Sequence, residues 1–205
     1  SSGLPLEISY KAPVSSTVVT PLTTLVVEMV EDGMDKVDAE SMVKQSLGVE
    51  ASVDLLNFDS VAEAASGNAE AVDTLSASTQ VANIMVQATT LISASSDGEA
   101  SSEEVSSSVS SSLAQELTQK ANEGETLDLT NFDSVSTVVT AAAADSNATL
   151  PDGGAAAAAS LISTVNDVIE EAKDEVEGSA SYKKRAAEAQ IGASTTLTPA
   201  LKSLG

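Results

Sequence analysis

The spacing of apolar residues changes near residue 20. Before it, four apolar side chains alternate with other residues, which is typical of a half-buried strand; they are Leu4, Leu6, Ile8 and Tyr10. After it, apolar residues recur three and four positions apart, as on one face of an amphipathic helix. The pattern predicts an all-α protein, a multi-helix bundle preceded by a short N-terminal β-strand.

Capping residues divide the helical part into segments. Thr20 followed by Pro21 predicts the start of the first helix, and Gly33 predicts its end. A second helix begins at Asp35 or Asp38 and ends at Gly48, and a short third helix begins at Asp59 or Ser60. A long helix is predicted at 69–94, and the capping-box pair Ser101 and Glu104 opens the next one. The last predicted helices are a short one after Asp133, one at about 153–177 and a weak one at 180–191.

These segments predict three parts of the chain. Residues 1–19 form an N-terminal strand and linker, residues 20–191 form the helical bundle, and residues 192–205 form an extended C-terminal tail. Serines at 106–108 and 110–112 interrupt the bundle's sequence without breaking the apolar stripe of their helix. We therefore expect this serine run to be a solvated helix face.

A nine-residue motif occurs twice. Residues 53–61 read VDLLNFDSV and residues 127–135 read LDLTNFDSV, so seven of the nine positions are identical and the motif contains both Phe residues of the chain. Each copy follows an amphipathic helix and opens a short one. The repeat predicts an internal duplication with units at about 20–67 and 81–145, closed by the helix at about 153–177.

The motif has a structural and a functional interpretation. In the first, its Leu and Phe side chains anchor the loop in the core, while Asp59 and Asp133 cap helices. In the second, carboxylate and amide oxygens bind Ca²⁺, a cation that prefers such ligands. The candidate ligands are Asp54, Asn57 and Asp59 in the first copy and Asp128, Asn131 and Asp133 in the second. Their spacing differs from that of an EF-hand loop, which favours the structural interpretation.

The charge of the chain restricts its partners. Nine Lys and Arg stand against 31 Asp and Glu, which gives a net charge of −22 and a pI near 4.1. Such a field repels nucleic acid and anionic membranes, and no apolar stretch is long enough to cross a bilayer. We expect neither a nucleic-acid partner nor membrane insertion. The one basic cluster, residues 183–185, is typical of a solvated helix face, a proteolytic site or an anchor to an anionic polymer.

The side-chain chemistry excludes several classes of enzyme. The chain has no His and no Cys, so Ser-His-Asp and Cys-His catalysis and His-ligated metals are excluded. Acidic pairs such as residues 103–104 and 170–171 leave a glycosidase-like arrangement open, but there are almost no aromatic residues to form a sugar platform. We expect a protein that is not an enzyme and has no cofactor, with Ca²⁺ as the one ion to consider.

At residues 18–25, which read VVTPLTTL, the sequence resembles a helical module of very large secreted proteins of aquatic bacteria. The resemblance covers about residues 12–135 and includes a DAE…LG helix at 38–48 and an Asp-Leu…Asp loop at 54–59, where Ser60 replaces a frequent Pro. The host proteins are similar to calcium-rich adhesins and exoproteins. The resemblance implies a secreted or cell-surface location and assigns no functional residue.

Three functions are compatible with these features. The first is a non-catalytic structural or adhesive module of an extracellular or cell-surface bacterial protein. The second is a self-assembling subunit of a filament or surface layer, joined through its N-terminal strand. The third is a carrier of a small ligand or pigment. In the first two, the strand formed by Leu4, Leu6, Ile8 and Tyr10 pairs with a neighbouring domain or subunit, which makes a homo-oligomer one outcome. The alternative is a small ribbon between this strand and residues 194–198 of the same chain.

Overall fold

The protein is described by a computed structural model that covers residues 8–66, 68–96, 100–175 and residue 188. This part of the chain contains seven helices: α1 (Pro21–Glu31), α2 (Lys36–Ser46), α3 (Ser60–Ala65), α4 (Ala69–Ser95), α5 (Ser102–Glu123), α6 (Phe132–Asp145) and α7 (Gly154–Glu175). The predicted helical bundle is confirmed. Ile8 and Tyr10 have no regular secondary structure, whereas Leu4, Leu6, residues 176–177, the segment 180–191 apart from helical Glu188, and the predicted tail 192–205 lie outside the described residues.

The starts of α1, α2 and α5 follow the predicted caps. The hydroxyl of Thr20 accepts a hydrogen bond from the N–H of Thr23, and Asp35 accepts one from the second residue of α2. Ser101 and Glu104 form the complete capping box, in which each side chain accepts a hydrogen bond from the other residue's backbone N–H. These contacts satisfy N–H groups that a helix leaves unpaired, so they determine where the helices begin.

Helix α4 is the centre of the bundle. It packs against α1, α3, α5, α6 and α7, so apolar side chains on most of its sides are buried. Buried apolar residues are therefore not confined to one face of α4, and they include Val81, Ile84 and Leu91. A second, smaller apolar cluster joins the first half of α4 to α3 and the second half of α7.

The serine run of α5 is not a solvated face. Ser106, Ser110 and Ser112 are buried, and the other three serines are partly buried. The prediction was wrong because α5 contacts α1, α2, α4 and α6, so that little of its circumference faces water. Serine is small enough to allow this close approach, and the hydroxyl of Ser110 donates a hydrogen bond to Glu28.

Candidate functional site

The first copy of the motif forms a tight loop in which each candidate ligand has a local partner. Asp54 accepts hydrogen bonds from the N–H of Leu56 and from the Asn57 side chain. The amide oxygen of Asn57 accepts a hydrogen bond from the hydroxyl of Thr17, 3.1 Å away. The carboxylate of Asp59 caps α3, as predicted. The oxygens proposed for Ca²⁺ are thus used to fold the loop.

In the second copy the same sequence begins its helix two residues earlier. Asn131, the counterpart of Asn57, caps α6 by accepting hydrogen bonds from the N–H groups of Asp133 and Ser134. The prediction that Asp133 caps this helix was wrong. In this copy Thr130 donates both its N–H and its hydroxyl to Asp128, so the Asn131 side chain remains available as the cap.

The two Phe residues have different environments. Phe58 is partly buried and packs against both apolar clusters. Phe132 is 42% exposed, so the prediction that both Phe side chains fill the core was wrong for the second copy. The earlier start of α6 places Phe132 in its first turn, whereas Phe58 precedes α3. The Leu residues of both copies, Leu55 and Leu129, are buried as predicted.

Each loop is held to the bundle by a separate polar contact. In the first copy the N–H of Leu55 donates to Glu40 of α2, and Lys44 of the same helix donates to the backbone carbonyl of Val53. In the second copy the buried side chain of Asn166 in α7 donates to the backbone carbonyl of Leu129. The two copies of the motif are therefore attached to different helices, α2 and α7, despite their common sequence.

Binding of Ca²⁺ at the two copies of the motif stays a prediction. The structure joins Asp54 to Asn57 in the first copy, and in the second copy it joins Asn131 to the backbone of Asp133. Within residues 8–66, 68–96, 100–175 and 188, no three or more Asp, Glu, His or Cys residues form a group that could hold a metal ion. Each predicted trio supplies two carboxylates, so Ca²⁺ would need further oxygen ligands there.

The segment before α1 is fixed to the bundle, although residues 8–20 have no helix or strand. The N–H of Lys11 donates to the hydroxyl of Thr24, and its carbonyl accepts a hydrogen bond from the hydroxyl of Thr23. The Lys11 ammonium forms ion pairs with Glu28 at 3.0 Å and with Glu31 at 3.1 Å. Ile8 packs against the main apolar cluster.

Glu28 is the buried end of this contact. Its side chain is 6% exposed and accepts a hydrogen bond from Ser110 of α5 in addition to the ion pair. Partial burial lowers the pKa of Lys11, but the hydrogen bonds that its ammonium donates to Glu28 and Glu31, together with their negative charges, outweigh that effect and raise the pKa overall. The apolar spacing of α1 did not reveal this site, although Glu28 is a charged residue within the apolar stripe of that helix.

The same segment is attached again near its end. The N–H of Thr17 donates to the backbone carbonyl of Leu56 at 2.9 Å, and its hydroxyl donates to Asn57. Between the two attachment points, Val14 is almost fully exposed and Ser15 has a positive φ of 83°. The segment is thus held at Lys11 and at Thr17, on α1 and on the first copy of the motif.

The open grooves in the described part of the chain include two along the second half of α5. One lies between the ends of α1 and α5, has a volume of about 630 Å³ and includes Met29 and Met34. The other, which we call the acidic groove, has a volume of about 540 Å³. It lies beside the second copy of the motif and is lined by Glu116, Gln119, Lys120, Glu123, Glu125, Thr126, Asp128, Asn131, Asp133, Ser134 and Thr137.

The comparisons with known proteins identify no relative. No protein-family model, curated protein or solved structure matches this chain. The resemblance to a module of secreted bacterial proteins therefore stays a prediction. Among the residues described, none of the helices combines the length and apolar character required to span a membrane.

Proposed function

We propose that this chain is a non-catalytic structural or adhesive module of the bacterial cell exterior, and that it holds the chain segment preceding its bundle in a fixed direction. The observation that supports this proposal is the attachment of residues 8–20 through Lys11 and Thr17. A flexible linker would let neighbouring parts of a protein reorient freely. A segment attached at two points transmits orientation, and force, from one part to the next.

The surface and the composition agree with an extracellular role. A net charge of −22 keeps a protein soluble at high concentration and repels copies of itself. The absence of Cys and His removes the side chains used most often in nucleophilic and acid–base catalysis. The bundle is stabilised by helix packing and caps, which require no bound cofactor.

The lack of Cys allows the attachment to be tested by site-directed spin labelling. Labels at Val14→Cys and at exposed Gln115→Cys on α5 would report the distance between the N-terminal segment and the bundle. A reference pair at Gln115→Cys and exposed Asp167→Cys would report the distance between two helices. We expect the two distance distributions to be equally narrow.

A broad distribution for the Val14 pair, beside a narrow reference, would contradict the proposed function, because the segment would then act as a flexible linker. The carrier function makes a different prediction. Native mass spectrometry of the protein purified from its source would show a small molecule bound at a fixed ratio, and this result would replace the structural role with cargo transport.

A further inference from the structure

The four residues NFDS, identical in the two copies of the motif, begin a helix in two different ways. In the second copy the amide oxygen of Asn131 accepts hydrogen bonds from the N–H groups of Asp133 at 2.9 Å and of Ser134 at 3.1 Å. Phe132 is then the first residue of α6, and its side chain is 42% exposed. An asparagine at this position of the motif therefore caps a helix that starts with the next residue.

In the first copy the N-terminal segment engages the same amide oxygen. The hydroxyl of Thr17 donates a hydrogen bond to the amide oxygen of Asn57 at 3.1 Å. The N–H of Ser60 donates to the backbone carbonyl of Phe58, and the carboxylate of Asp59 caps α3, which begins two residues later than its counterpart. Because the oxygen of Asn57 is bonded to Thr17 and the N–H of Ser60 is turned to Phe58, the two helix starts are alternatives.

The helix start decides where the Phe side chain of the motif lies. Phe58 precedes α3, is partly buried and packs against both apolar clusters. Phe132, which belongs to the first turn of its helix, is exposed. The hydroxyl of Thr17 is thus linked through Asn57 and Phe58 to the interior of the bundle.

A second contact of Asn57 supports the arrangement of the first copy. Its amide nitrogen donates a hydrogen bond to Asp54 at 2.9 Å. In the second copy the equivalent aspartate is bonded instead to Thr130, which stands in place of Leu56. Two side-chain contacts therefore hold Asn57 away from the helix, and the one with Thr17 depends on the N-terminal segment.

We propose that Thr17 and Asn57 form a conformational switch that couples the attachment of the N-terminal segment to the start of α3. While the segment is attached, α3 begins at Ser60 and Phe58 packs against both clusters. When the segment is released, Asn57 caps the helix, α3 begins at Phe58, and this side chain becomes exposed as Phe132 is. A contact made in one of two states shifts the population toward that state.

The inference rests on the proposed function and adds to it. If the module holds its N-terminal segment in a fixed direction, loss of the attachment at Thr17 changes more than the direction of the segment. It also removes Phe58 from the two apolar clusters, so the packing of α3 reports whether the segment is attached.

Nuclear magnetic resonance of the variant Thr17→Val tests the switch. The substitution removes the hydroxyl of an exposed residue and keeps the size of the side chain. The control Thr164→Val removes an exposed hydroxyl that bonds within α7. In Thr17→Val we expect the Cα chemical shifts of Phe58 and Asp59 to move toward helical values, for which Phe132 in the same spectrum gives the reference. In the control they should stay as in the native protein.

Melting temperatures test whether the cap is exchanged. If Asn57 takes over as the cap, Asp59→Ala should lower the melting temperature in the Thr17→Val protein by about half as much as in the native protein, or less. Equal decreases in the two proteins would overturn the switch, and so would unchanged Cα shifts of Phe58 and Asp59 in Thr17→Val.

The spin-label pair at Val14 separates this failure from that of the proposed function. Either negative result beside a narrow distance distribution in the native protein would overturn the switch and leave the fixed segment in place. A broad distribution in the native protein would contradict the proposed function itself.

Discussion

Replacing Lys11 with Met would test how strongly the N-terminal segment is held. The substitution removes the ammonium group that pairs with Glu28 and Glu31 and keeps most of the aliphatic side chain. The backbone hydrogen bonds of Lys11 to Thr23 and Thr24 remain possible. The change in the free energy of unfolding therefore reports the loss of the ion pairs.

The expected cost follows from the burial of the two partners. Removing one partner of a fully buried ion pair costs about 3–5 kcal/mol, whereas an exposed pair contributes about 0–1 kcal/mol. The side chain of Glu28 is 6% exposed and that of Lys11 is 34% exposed, so solvent screens the pair in part. We expect Lys11→Met to lower the free energy of unfolding by about 2 kcal/mol.

The control is Lys120→Met. Lys120 also pairs with two carboxylates and has a similar exposure, but both of its partners are exposed. The two variants change the net charge equally, so general repulsion cancels in the comparison. Urea unfolding followed by circular dichroism gives both free energies. A loss as small in Lys11→Met as in Lys120→Met would refute the argument that the buried Glu28 requires its partner.

Three further experiments with substituted proteins test the local findings. Phe58→Ala should cost about 2 kcal/mol and Phe132→Ala less than about 1 kcal/mol, because only the first side chain packs against both apolar clusters; equal losses of thermal stability would contradict this. Asp59→Ala should cost about 1 kcal/mol through the loss of a cap, while Asp133→Ala should leave the melting temperature nearly unchanged; the reverse order would contradict the assignment of caps. Hydrogen bonds from the backbone and then the side chain of the N-cap residue Ser101 lower the pKa of Glu104. The contribution of Glu104 to the free energy of unfolding is therefore present above the ordinary carboxyl pKa and is lost as the pH falls through the lowered pKa. Glu104→Gln should flatten this part of the acid unfolding curve, and an unchanged curve would contradict it.

Local signals predicted the helices well. The long helix was expected at 69–94 and lies at Ala69–Ser95, and the first helix begins after Thr20 as its cap indicates. Caps and apolar spacing act within a few residues, so they can be read without knowledge of the fold. Burial of the serine run depends instead on which helices surround α5, and no spacing within residues 106–112 reveals that.

The repeated motif also shows that a short sequence pattern does not determine a structure that depends on tertiary contacts. The two copies of the motif share seven of nine residues but begin their helices at different positions. In the first copy the amide oxygen of Asn57 accepts a hydrogen bond from the hydroxyl of Thr17, 40 residues away along the chain. Thr130 in place of Leu56 supplies a local partner in the second copy. Both differences affect which residue caps the helix, and only the first requires tertiary structure.

Amide hydrogen exchange at Lys11 and Thr17 is the most direct test of the fixed N-terminal segment. Their N–H groups donate to Thr24 and to the carbonyl of Leu56, each at 2.9 Å, although neither residue belongs to a helix or strand. If the segment is fixed to the bundle, both amides should exchange about 100-fold or more slowly than in an unstructured chain, a factor that corresponds to about 2.7 kcal/mol. Exchange at the unstructured rate, while the amides of α1 stay protected, would contradict the claim that this module holds its N-terminal segment in a fixed direction.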